Sequence, residues 1–215
     1  MILSKIISAY QNQQFENCLS MINEIQTPLN QEFTQLKASC YQKTKQYEKA
    51  METWDLAIAN FGEQPDFLLE RGICKFHLKY KSSLLDMDKA IDLEPNNEYY
   101  YACRAYIKDK IGDTEGSVAD YQKAHELDPR NEITLNNLGL AEEKLGYTQK
   151  ARQRFKQADE IAGIDHITAK YFDIQNTTDT SPKNSIGKEI FKMISSKKEF
   201  VSFLNEAAAL FKLKK

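Results

Sequence analysis

The sequence predicts an all-α chain built from stacked helix pairs, on three observations. Residue types recur at a fixed period: Ala90, Ala124 and Ala158 lie 34 residues apart, as do Ser83, Ser117 and Ala151, and Pro95 and Pro129 share the spacing. Within one period, Glu98 to Asn131, two helical patterns flank a break at Gly112-Asp113 and end at Asp128-Pro129. Tyr101, Ile107 and Ile111 recur at helical spacing in the first half, and Val118, Tyr121, Ala124 and Leu127 in the second. Finally, only 8 Gly and 5 Pro are present, and most stand at the predicted breaks. A fixed period in this range is the mark of a repeat protein.

The columns place each element. A small residue sits in each first helix as Ala38, Gly72, Ala105 and Gly139. A second small residue, early in each second helix, is Cys18, Ala50, Ser83, Ser117 and Ala151. A large residue follows as Ile22, Trp54, Met87, Tyr121 and Phe155, then an alanine as Ala57, Ala90, Ala124 and Ala158. Gly62, Pro95, Pro129 and Gly163 close the units. These columns resemble the tetratricopeptide repeat, a 34-residue helix–turn–helix. The resemblance implies a right-handed α-α superhelical solenoid of about five helix pairs. One column departs from the pattern: the aromatic late in the first helix is kept at Tyr41 but replaced by Lys75, Lys108 and Glu142.

In chain order, the repeat domain spans 1–165, with repeats at 1–30, 31–64, 65–97, 98–131 and 132–165. In the first, Ile2, Ile6 and Ala9 are expected to face inward, then Phe15, Cys18, Leu19, Ile22 and Ile25, with Pro28 breaking the chain. The third is one residue short near Leu78-Lys79-Tyr80, where the turn lacks its usual glycine. Asn97 and Asn131 are placed to cap the helices that follow them, and Thr148 the last one. Beyond the repeats, a capping helix is expected at 166–174, a polar linker at 175–185 and an amphipathic helical segment at 186–215. In that last segment Phe200, Phe203, Leu204, Ala207, Leu210 and Phe211 form one stripe flanked by lysines.

Composition narrows the function. At 215 residues, 41% hydrophobic and 28% charged, with net charge −2, the chain reads as a soluble globular protein. Its charge gives no support to nucleic-acid binding. No apolar run reaches the ~20 residues of a membrane span. Cys18, Cys40, Cys74 and Cys103 form no C-x-x-C and read as free thiols packed in small slots, which suggests the cytoplasm. Asn176-Thr177-Thr178 matches a glycosylation sequon, of little weight without a secretion signal.

Catalysis finds no support. His77, His125 and His166 fall in different repeats, and Cys74 with His77 lacks a second pair to complete a metal site. Gly112 to Ser117 lacks the lysine of a phosphate-binding loop, and no G-x-S-x-G occurs. The reading is therefore a non-enzymatic adaptor or assembly scaffold without cofactor or metal. RNA binding is the weaker class, because Asp66, Glu70, Asp109 and Glu143 offset Lys43, Lys110 and Lys144.

The resemblance implies that first helices line a concave groove that holds a peptide or a partner helix. The expected groove residues are Ile73, Phe76, Tyr99, Tyr106, Asn136, Asn137 and Leu140, with Ser39, Lys43, His77, Lys110, Ile133 and Lys144 around them. Asn136 and Asn137 can hydrogen-bond a peptide amide. A subtype that clamps a C-terminal carboxylate needs Lys, Asn and Arg at set places. This chain has Gln35, Ser39, Glu70, Tyr99 and Cys103 there, and Glu70 repels a carboxylate. The partner is a protein or peptide. The alternatives are a structural protein that self-associates as a homodimer through residues 186–215, or a non-catalytic subunit of a larger complex.

Overall fold

The computed structural model describes residues 2–25 and 30–163. Pro28, His166, the sequon at Asn176 and the expected elements at 166–174, 175–185 and 186–215 lie outside the described residues. Among the described residues there are ten α-helices and no strand. They are α1 (Ile2–Gln11), α2 (Phe15–Asn23), α3 (Gln31–Lys43), α4 (Tyr47–Phe61), α5 (Pro65–His77), α6 (Ser83–Leu93), α7 (Glu98–Lys110), α8 (Thr114–Leu127), α9 (Glu132–Lys144) and α10 (Thr148–Ile161). Each odd-numbered helix packs on the even-numbered helix that follows it. Each even-numbered helix packs in turn on the next odd one.

The breaks follow from backbone chemistry. Asn30, Asn97 and Asn131 cap α3, α7 and α9, accepting from the backbone N–H of Phe33, Tyr99 and Thr134. Asp113 caps α8 by accepting from the N–H of Gly116, and Pro65 opens α5, where its missing N–H costs nothing. Thr148 does not cap α10: it is already the first helical residue, and the cap position falls on Tyr147, which makes no side-chain bond.

Every turn within a pair places one residue in the left-handed region: Gln13, Lys45, Lys79, Gly112 and Gly146, with φ of 59°, 59°, 62°, 93° and 81°. Glycine adopts this conformation without strain, and the three other side chains adopt it at a cost. The short third repeat is now explained. Lys79 keeps the left-handed position of the turn, and the missing residue lies between it and Ser83. Residues 80–82 are therefore non-helical, and α6 begins at the small-residue position that in α4, α8 and α10 is the fourth of the helix.

The repeating columns form the core. Ala38, Ala105, Ala50, Ala57, Ala90, Ala124, Ala151 and Ala158 are all buried, as are Ile22, Trp54, Met87 and Tyr121. Small residues are required because helices touch there: a Cβ added to Gly72 would stand 3.0 Å from the Ser83 backbone oxygen and 3.2 Å from Met87 Cγ. Three residues of the sequence pattern stand outside the core. Ile2 and Ile111 are more than half exposed, since Ile2 opens the first helix and Ile111 is the residue that ends α7. The buried ring of α7 is Tyr100, not Tyr101. Its hydroxyl donates to Asp66 Oδ1 at 2.7 Å, which lets a polar tip sit among apolar neighbours.

The column that lost its aromatic is filled by ion pairs. In the third repeat Lys75 pairs with Asp86 at 2.8 Å, and in the fourth Lys108 pairs with Asp120 at 2.9 Å. In the fifth the charges are reversed: Glu142 faces Arg154 at 3.6 Å. Arginines widen the first two clusters. Arg71 reaches Asp86 on α6 and Asp55 on α4, and Arg104 reaches Asp120 on α8 and Asp88 on α6. In the fifth repeat Leu138 stands where Arg71 and Arg104 stand earlier, as Arg154 would repel a further cation. Burial opposes the charge on Asp86, but hydrogen bonds from Arg71 and Lys75 prevail and hold its carboxyl below the usual range.

Three outcomes follow for stability. Asp120→Ala leaves the largely buried Lys108 without its carboxylate and Arg104 with only the half-exposed Asp88, and should lower the unfolding free energy by roughly 2–4 kcal/mol. The triple change Arg104→Leu, Lys108→Glu, Asp120→Arg copies the fifth-repeat arrangement and should be clearly more stable than Asp120→Arg alone, as urea titration would show. Gly72→Val should cost about 2 kcal/mol or more by overpacking, read from the same titration.

Candidate functional site

On an α-helix, residues at i, i+4, i+7 and i+11 share one face. In α3 these are Glu32, Leu36, Ser39 and Lys43. In α5 they are Asp66, Glu70, Ile73 and His77. In α7 they are Tyr99, Cys103, Tyr106 and Lys110, and in α9 Ile133, Asn137, Leu140 and Lys144. None of the sixteen is buried. Large apolar side chains stand partly in solvent here: Tyr99 is 52% exposed, Tyr106 49%, Ile133 65% and Leu140 51%.

Polar contacts tie this layer of first helices together. The Gln42 side chain on α3 donates through Nε2 to Glu70 on α5 at 2.8 Å, while its oxygen accepts from the Trp54 indole at 3.1 Å. Tyr100 of α7 reaches Asp66 of α5, and Lys144 of α9 pairs with Asp109 of α7. At the edge of the layer the His77 ring stacks on Tyr47, with centroids 4.1 Å apart. Lys110 lies over the Tyr106 ring at 5.2 Å, a favourable cation–π arrangement.

The expected groove residues divide. Tyr99, Tyr106 and Leu140 are open to solvent. Asn137 is half-buried in the same face as Leu140, and Asn136 is half-buried beside it. Ile73 and Phe76 are half-buried against the core formed by Leu68, Leu69, Met87 and Tyr100, so much of each ring or chain is already engaged. Sequence reading named Glu70 as an obstacle to a carboxylate and as one of the acids that offset the lysines. The structure gives it a central place: burial pushes its carboxyl upward despite the Gln42 hydrogen bond, and its charge is felt at Tyr99 and Cys103. The spacing of Glu70 with Asp66 and Ile73 on one helix face was the available signal.

The thiols follow their surroundings. Cys18, Cys40 and Cys74 are buried and reduced, and burial pushes Cys74 up to about 12. Cys103 is only half-buried, which corrects its assignment to a closed slot. It too is pushed up, to about 11, by burial. No group of three or more His, Cys, Asp or Glu that would hold a metal occurs among the described residues. None of the described helices is long and apolar enough to cross a membrane.

A family model described as TPR repeat matches residues 110–146, a span that holds α8, α9 and the turns on either side. Over that span the sequence is that of a tetratricopeptide repeat. Solved structures extend the likeness of fold along most of the chain. A crystal structure of MamA superposes with a TM-score of 0.63 at 18% identity, covering 76% of this chain and 96% of that one. MamA from Desulfovibrio magneticus RS-1 gives a TM-score of 0.65 at 16% identity over 75% of this chain and 93% of its own. A further MamA structure gives 0.62 at 18% identity over 84% and 96%. No curated protein matches the chain. In tetratricopeptide terms, the face just described is the first-helix face of the stack, and the ion-paired column is the place of the late aromatic.

At pH 8 the four thiols of the native chain should react slowly with a chromogenic disulfide reagent, and all at once in urea. Cys103 should react first, which mass mapping of the labelled peptides would show, because it alone is not fully buried.

Proposed function

We propose that this protein is a non-catalytic interaction scaffold that binds a protein or peptide partner on the first-helix face of its fourth and fifth helix pairs. The observation that carries this reading is the exposure of Tyr99, Tyr106, Ile133 and Leu140 together on one face of α7 and α9. Burying half-exposed rings and aliphatic chains against a partner releases apolar surface from water, at about 25 cal/mol per Å². Asn137, between Ile133 and Leu140 on that face, supplies a donor and an acceptor that fix the direction of a bound backbone. Few polar groups and a contiguous apolar lining are what a binding groove needs. The same fold recurs in MamA at low identity, which supports the stacked architecture and leaves the partner to be read from this chain's own residues.

The test is a pull-down from the source cell with the full chain beside Tyr106→Ala, Leu140→Ala. The double variant should lose its partner proteins by about tenfold or more while keeping its melting temperature, since hot-spot residues carry most binding energy. Retention of every partner by the variant would reject this face as the binding surface. Mass measurement of the full chain in solution separates partner binding from self-association: a stable dimer unaffected by the double variant would favour the alternative of a structural protein joined elsewhere.

A further inference from the structure

The same face carries an uneven charge, and its unevenness selects a class of partner. At the N-terminal ends of the first helices stand Glu32 and Asp66, with Glu70 one turn further along α5, and at the C-terminal ends Lys43, Lys110 and Lys144. The two signs are not equally occupied. Lys144 is paired with Asp109, and Lys110 rests on the Tyr106 ring. Asp66 and Glu70 take part in none of the ion pairs among the described residues. Asp66 accepts from the Tyr100 hydroxyl, and Glu70 from the Gln42 amide. Lys43 is near enough to favour the charge on Glu70 without forming an ion pair with it. Lys43 and Lys110 likewise form no ion pair with described residues, so the imbalance is local. Asp66 and Glu70 make the α5 side of the face negative beside the half-exposed Tyr99 ring, whose hydroxyl also feels Glu70 and Asp66.

We propose that this face takes a cationic amphipathic peptide segment, with a lysine or arginine set between Asp66, Glu70 and the Tyr99 ring and two bulky apolar side chains laid on Tyr106, Leu140 and Ile133. The proposal rests on the reading of the first-helix face as the partner-binding surface. The rings make the face a docking surface, and the charge decides its occupant. A guanidinium or ammonium gains twice at the α5–α7 boundary, from two carboxylates and from an aromatic face. An acidic segment laid at the α5–α7 boundary would meet Asp66 and Glu70 at close range, with Lys43 at the end of α3 the cation that offsets Glu70. Adjacent helices pack about 8–10 Å apart, so cation and apolar anchors on neighbouring first helices stand about 10 Å apart. An extended chain covers that distance in about three residues. The expected ligand is thus a basic residue followed, or preceded, by apolar residues about three and six positions away.

Selection of displayed random short peptides on the immobilised full chain tests this, with Tyr106→Ala, Leu140→Ala as the counter-target. The expected result is enrichment of sequences that combine lysine or arginine with leucine, isoleucine or phenylalanine, and that are lost on the counter-target. For a selected peptide, Asp66→Asn with Glu70→Gln should weaken binding about five- to tenfold, and added salt should weaken it on the native chain more than on that variant. Replacing the basic residue of the peptide by glutamine should have the same effect, which tests the contact without altering the protein. Enrichment of acidic or uncharged sequences that still require Tyr106 and Leu140 would overturn the charge assignment and leave the binding face standing. Absence of any sequence that separates the native chain from the counter-target would overturn both.

Discussion

A helix pair of about thirty residues has more apolar surface than it can cover by folding on itself. Everything else in this protein answers that constraint. Each pair buries one side internally and the other against the next pair, so burial at the interfaces between pairs is as much a part of the core as burial within them. The answer requires close approach, and close approach requires small side chains. Ala38, Gly72, Ala105 and Gly139 on first helices, and Ala50, Ser83, Ser117 and Ala151 on second helices, are the positions where a larger group would collide.

Apolar meshing alone does not fix which pair follows which. Arg71 and Arg104 each bind a carboxylate of their own pair and one of the pair before, Asp86 with Asp55 and Asp120 with Asp88. Asp86 and Asp120 are buried while Asp55 and Asp88 are about half exposed. Such pairs contribute little net stability compared with a well-packed apolar group, but an arginine left facing no carboxylate at these largely buried places is unfavourable. The clusters therefore disfavour shifted or exchanged packings more than they strengthen the correct one. The reversal to Glu142 and Arg154, with Leu138 in the arginine place, keeps the column neutral where the chain of arginines stops.

The surface left over is the proposed binding face. Stacking uses the flanks of every first helix and leaves the face with Tyr99, Tyr106, Ile133 and Leu140 to solvent. Its neighbours Asp66 and Glu70 are held by Tyr100 and Gln42, so the carboxylates are positioned before any partner arrives. Preorganised groups lose less entropy on binding, which is how a shallow face gains selectivity.

The fold was largely legible in the sequence, because a helix is a local structure and a 34-residue period makes its own register visible. The small columns, the asparagine caps at Asn97 and Asn131 and the breaks at Gly112 and Gly146 all depend on residues within a few positions of each other. Sequence spacing alone could not show that Tyr100 rather than Tyr101 turns inward, that Ile73 and Phe76 are half-engaged by the core, or that Lys75 and Lys108 are countered by Asp86 and Asp120. Nor could it show where the missing residue of the third repeat is absorbed. These outcomes depend on the angle and distance at which one helix meets another. That geometry is decided by side chains from separate elements competing for the same space and the same charge.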